Sequence, residues 1–113
     1  MKGTHLGEFQ EIVLLTIMVL DEEAYGVSIK QEINQKTNRN ISRGALHTAL
    51  SRLEEKGFIK SKQGEASPER GGHPKRYYTV TNKGVEALHE ARQLREQLWS
   101  RIPKLKLHPA YGG

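Results

Sequence analysis

The chain has 113 residues, no cysteine, 35% hydrophobic and 27% charged content, which bounds it to one small domain with a thin core and excludes a multidomain enzyme, a disulfide framework and a thiolate zinc site. Its 18 Lys and Arg against 13 Asp and Glu give a formal charge of +5. The excess is local: between Lys36 and Arg76 ten basic residues stand against four acidic ones, and the flanks are almost neutral. A basic centre of this kind suits a polyanion.

Residues 1–7 carry no periodic signal and are expected to form a loose arm. The run FQEIVLLTIMVL (9–20) is apolar nearly all round, which predicts a helix buried on several sides. It is too short to span a bilayer, and acidic Glu8 and Glu11 precede it instead of a basic segment, so neither a membrane span nor a signal peptide is expected. Together with the lack of cysteine this makes the reducing cytoplasm the expected compartment. After Asp21-Glu22-Glu23, the recurrence of Tyr25, Ile29 and Ile33 predicts a second, amphipathic helix, closed by a turn at Thr37-Asn38-Arg39-Asn40.

Ser42 stands as the N-cap of a third helix, in which Leu46, Ala49, Leu50 and Leu53 form the core face and Gly57 is the terminating glycine. Gly44, His47, Thr48 and Ser51 then point outward, with Arg52 on the shoulder. Two short alternating runs, 58–62 and 76–81, flank the turn-rich QGEASPERGGHPK and predict a hairpin whose tip, mobile when unbound, carries Arg70, His73, Lys75 and Arg76. From Asn82 to about Arg101 a fourth helix places Ala87, Ala91, Leu94 and Leu98 on a heptad-like stripe, flanked by Leu88, Trp99 and Ile102. The domain reading is therefore 1–81 for the globular part, 82–102 for a dimerisation helix and 103–113 for a flexible tail.

Three helices followed by a basic hairpin are the order of a winged helix-turn-helix, a mainly α (α+β) fold with a two-stranded wing. A helix capped by Ser42 can lie in a major groove while the hairpin reaches phosphates or the minor groove. The residues that make this specific are Leu6-Gly7 and Glu11, Tyr25-Gly26, Ser42-Arg43-Gly44-Ala45-Leu46, Leu50 and Leu53-Glu54 with Gly57, and the stretch Gly72-His73-Pro74-Lys75-Arg76-Tyr77-Tyr78 followed by Val80-Thr81 and Gly84. In this pattern, over roughly residues 6–90, the chain resembles the PadR family of bacterial transcriptional regulators, in its short form with a single C-terminal dimerisation helix.

The resemblance implies a homodimer built through the last helix and repression by binding double-stranded DNA at an inverted-repeat operator. It implies DNA contacts from Ser42, Arg43, Thr48, Ser51 and Arg52 on the third helix and from Lys75 and Arg76 on the wing, to which the basic hairpin tip adds Arg70 as a candidate. His47 occupies a place where the family usually has tyrosine; it keeps a planar ring with a hydrogen-bond donor. The interface implied is Ala91, Leu94, Leu98, Trp99 and Ile102. Because some relatives sense flat aromatic compounds between subunits, Trp99 is also a candidate platform for a small aromatic effector, although packing is its first reading.

Other chemistry has little support. His5, His47, His73, His89 and His108 are scattered without HxxxH or HExxH spacing, and there is no P-loop, GxGxxG or GxSxG. No metal, cofactor or enzymatic activity is expected. Tyr77-Tyr78 could be taken as a stacking platform for single strands, but neighbouring strand residues face opposite sides, so one should pack on the core. The alternatives to a site-specific regulator are a protein-interaction winged-helix module and a nonspecific nucleic-acid binder.

Overall fold

A computed structural model describes residues 5–65 and 74–107. Its elements are α1 (Glu8–Leu20), a 3-10 turn (Asp21–Glu23), α2 (Gly26–Thr37), α3 (Arg43–Glu55), β1 (Ile59–Gln63), β2 (Arg76–Val80), α4 (Asn82–Ser100) and a final 3-10 turn (Lys104–Leu107). This is a mainly helical winged helix.

Local chemistry sets the boundaries. Glu8 and Glu11 lie in the first turn of α1, where carboxylates complement the helix dipole. At the start of α2 the Tyr25 N–H donates to Ser28 Oγ at 3.0 Å, and the helix ends at Asn38 in the left-handed region, φ 57°, which asparagine tolerates. Asn34 Oδ1 accepts the Ile41 N–H at 2.9 Å and fixes the turn into α3. Ser42 Oγ accepts the Ala45 N–H at 3.0 Å, as the capping pattern predicts. At the other end Gly57, φ 81°, donates to the Glu54 carbonyl at 3.0 Å and Phe58 donates to the Leu53 carbonyl at 2.9 Å. That paired closure requires the left-handed glycine and turns Phe58 inward.

β1 and β2 pair antiparallel with Ile59 opposite Val80 and Gln63 opposite Arg76. Phe58, expected to open the first strand, instead ends the α3 turn and is fully buried. Thr81, expected to close the second, is the N-cap of α4: its Oγ1 accepts the Gly84 N–H at 3.1 Å and donates to the Gly57 carbonyl at 2.6 Å. Gly84 packs so closely on the Phe58 carbonyl and Val80 that a Cβ there would overlap them.

One core joins Val13, Leu14 and Ile17 of α1 with Ile29 and Ile33 of α2, Leu46, Leu50 and Leu53 of α3, Phe58, Ile59 and Ala87. α1 packs against α2, α3, α4 and β2, as expected of a helix buried on several sides, but Leu15, Met18 and Val19 are exposed. Among the described residues this remaining side of α1 is left uncovered, and a run apolar all round suits a second partner there. At the ends, the His5 carbonyl accepts from Lys56 Nζ at 3.3 Å. Lys104–Leu107 make a helical turn inside the expected tail, whose last residues, 108–113, lie outside the described residues, as do 1–4 of the arm.

Candidate nucleic-acid interface

α3 separates its residues sharply. Leu46, Ala49, Leu50 and Leu53 are buried, whereas Ser42, Arg43, Gly44, Ala45, His47, Thr48, Ser51 and Arg52 are exposed. The outward face is low in relief and bears hydroxyls, an imidazole and two guanidinium groups, a donor-rich set that matches base edges and phosphates. No acidic residue lies in the first turn of α2 or α3, in contrast to α1. Arg43 at the positive end of α3 gains nothing from that dipole and becomes favourable only beside an anion.

Between α2, α3 and the base of the wing lies a cleft of 690 Å³, which brings together Arg43, His47, Lys75 and Arg76 with Tyr25, Val27, Lys30 and Gln31 of α2 and its start. Ser42, Thr48, Ser51 and Arg52 sit beside it on the open face of α3. Arg70 and His73, expected at the wing tip, lie outside the described residues. The contribution of α2 is not legible from hydrophobic period alone; its signal is the polar and basic set Lys30 and Gln31 opposite Ile29 and Ile33.

Among the described residues no carboxylate pairs with Arg43, Arg52, Lys75 or Arg76. Elsewhere the central charge is used internally: Arg39 Nη2 donates to Glu8 Oε2 at 2.6 Å and Lys56 Nζ to Gln10 Oε1 at 3.0 Å. Among the described central cations only Arg39 has a carboxylate partner, since Gln10 carries no charge, so Lys60 and Lys62 on β1 stay uncompensated along with the cations of α3 and the wing base. Lys75 Nζ lies 3.8 Å from the centroid of Tyr25. Tyr25 meets Tyr77 edge to face, centroids 5.6 Å apart.

Tyr78 packs against the core, and burial, reinforced by Glu54 and opposed by Arg76, raises its phenol above the usual value. With Tyr78 on the core and Tyr77 against Tyr25, both rings have protein partners, and the single-strand stacking reading loses its platform.

A second face is apolar. Leu94, Leu98 and Trp99 on α4 are 58%, 57% and 60% exposed, while Ala91 and Ile102 are half-buried. Trp99 shares a groove of 450 Å³ with Leu15, Met18 and Leu88, so the unpartnered stripe of α4 continues onto α1. The sequence stripe identifies the α4 residues; those of α1 are missed because an all-round apolar run gives no direction. Arg95 bonds both carboxylate oxygens of Glu11 across the two helices, 2.6 Å to Oε2, and that contact raises its already high pKa. Among the described residues there is no metal-ligand cluster and no helix long and apolar enough to cross a membrane.

Residues 14–90 match the transcriptional regulator PadR-like family. An uncharacterized protein of Lysinibacillus sphaericus is 33% identical over 86 residues, 74% of each chain. A PadR family transcription regulator of Clostridium difficile is similar in structure with a TM-score of 0.61 at 25% identity, covering 93% of this chain and 99% of that one. The PadR-like transcriptional regulator of Bacillus cereus gives a TM-score of 0.69 over 88% and 92% of the two chains, a likeness of fold at 23% identity.

Proposed function

The chain belongs to the PadR-like family of transcriptional regulators, which act by binding DNA and not as enzymes, and we propose that within it this protein is a homodimeric repressor of an inverted-repeat operator. The observation that carries the reading is the exposed face of α3 from Ser42 to Arg52, donor-rich and without a carboxylate over that stretch, continuous with the wing base. Each subunit lays α3 in a major groove, where Arg43, His47, Thr48 and Ser51 meet base edges. Ser42, Arg52, Lys75 and Arg76 hold the backbone, with Arg70 a further cation for phosphate. Affinity then comes mainly from cations on phosphates and falls with salt, while discrimination comes from the small polar face.

The apolar face of α4, with Ala91, Leu94, Leu98, Trp99 and Ile102, pairs with that of a second copy. Two copies so joined present two α3 helices to half-sites about 10 bp apart or at a multiple of that spacing. Three large apolar side chains more than half exposed on one helix are a poor arrangement for a monomer. The Trp99 groove is the place for a small aromatic effector. The protein acts in the cytoplasm, where its DNA is.

The test is selection of bound duplexes from a random library, followed by affinity for the winner and for scrambled DNA at two salt concentrations. An enriched palindrome bound at least about a thousandfold more tightly than scrambled DNA supports the operator reading. Salt-sensitive binding with no enriched sequence removes it.

A further inference from the structure

We propose that Tyr25 is a positioning residue for DNA binding: its ring seats the Lys75 ammonium at the mouth of the cleft, where it meets a backbone phosphate. Lysine is a poor fixed contact on its own, because its long stem samples many rotamers. Here both ends of the contact are held. The Lys75 carbonyl accepts the Gly64 N–H at 2.7 Å, which closes the base of the wing, and Nζ rests 3.8 Å from the Tyr25 centroid.

The ring is itself fixed. Tyr77 meets it edge to face at 5.6 Å, the Tyr78 N–H donates to the Ala24 carbonyl at 2.9 Å, and Gly64 leaves space for Tyr77 that a Cβ, 2.7 Å from its ring, would take. An aromatic face differs from a carboxylate as a seat for lysine: it attracts the cation without neutralising it and leaves its N–H groups free to donate. Among the described residues Lys75 has no carboxylate partner. Its charge is therefore oriented and undiminished, which is what a phosphate contact needs and what fold stability does not require.

The inference rests on the reading that Lys75 touches DNA, and a double-mutant cycle on a mixed-sequence duplex separates the two. In the wild type, Lys75→Ala is expected to weaken binding about tenfold and to lower the slope of log K against log salt by about 1. In a Tyr25→Leu background the same change is expected to cost less than about twofold, and Tyr25→Phe, which keeps the ring, is expected to behave as wild type. If Lys75→Ala is neutral in the wild type, the contact itself is wrong and the inference falls with it. If it costs the same in wild type and Tyr25→Leu, the contact stands and the role of Tyr25 is overturned. Should Tyr25→Leu unfold, the wild-type complex decides by NMR: ring-current-shifted Lys75 ε-methylene signals are expected, and their absence overturns the proposal.

Discussion

At the scale of single residues the proposed interface assigns a structural role and a DNA contact to the same few positions, and these can be separated. Ser42 caps α3 through the Ala45 N–H and also stands exposed at the proposed DNA face. Ser42→Ala is expected to lower stability by about 1 kcal/mol, read as a shift in urea midpoint at unchanged slope. Ser42→Asp, an equally good cap, is expected to keep that stability yet weaken duplex binding about tenfold by placing a negative charge against phosphate; equal affinities for Ser42→Asp and wild type would place Ser42 away from the backbone. Tyr78 gives a pH signature. Its folded pKa is raised above 10.0 by burial first, then by Glu54, so the folded chain holds the phenolic proton more tightly than the unfolded one. The contribution is fully present below about pH 10 and is lost as pH rises through the raised value. Tyr78→Phe is therefore expected to flatten the loss of stability between about pH 9 and about pH 11, measured by urea unfolding at each pH.

At the scale of elements, α1 and α4 together explain why the second face exists. The inner sides of these helices supply Val13, Leu14, Ile17, Ala87 and Leu88 to the core, and their outer sides leave Leu15, Met18, Leu94, Leu98 and Trp99 uncovered. Leu94→Glu or Leu98→Glu is expected to give monomers by light scattering and to weaken operator binding by at least about a hundredfold, because a buried charge without a partner opposes assembly. A variant that stays dimeric would place the interface elsewhere. The periodicity of α3 and α4 made these elements legible: four apolar residues at helical spacing, a serine before them and a glycine after them leave little choice of face or boundary. α1 was legible as a helix but not in orientation, since every side of it is apolar. The wing base was legible in strand pattern, while the seat of Lys75 on Tyr25 was not. That contact joins residues distant in sequence and depends on how β2 docks against the start of α2, which no local pattern records. For the same reason the basic count from Lys36 to Arg76 overstated the free charge by Arg39, whose carboxylate partner Glu8 lies on α1.

At the scale of the whole molecule, α1 links the proposed reading face and the proposed pairing face through one ion pair on each side. Glu8, the first residue of α1, holds Arg39 in the turn that leads to α3, and Glu11, three residues on, holds Arg95 of α4. Each of these pairs is at least partly exposed and contributes at most about 1 kcal/mol to folding, and in the proposed dimer they are expected to act instead as restraints on the angle between α4 and α3. In a dimer that angle fixes the distance between the two α3 helices. Inserting one base pair between half-sites both separates and rotates them, so a dimer of fixed angle discriminates strongly between spacings. Glu11→Gln removes the ionic tie while keeping a side chain of the same shape. It is expected to leave thermal stability within a few degrees of wild type and to narrow the difference in affinity between the preferred operator and one lengthened by a single base pair, from about tenfold or more to about threefold or less. The measurement is competitive binding of the two duplexes at one salt concentration. If wild type and Glu11→Gln discriminate equally, α1 does not set the spacing, and the rigidity of the dimer must reside in the apolar contacts of α4 alone.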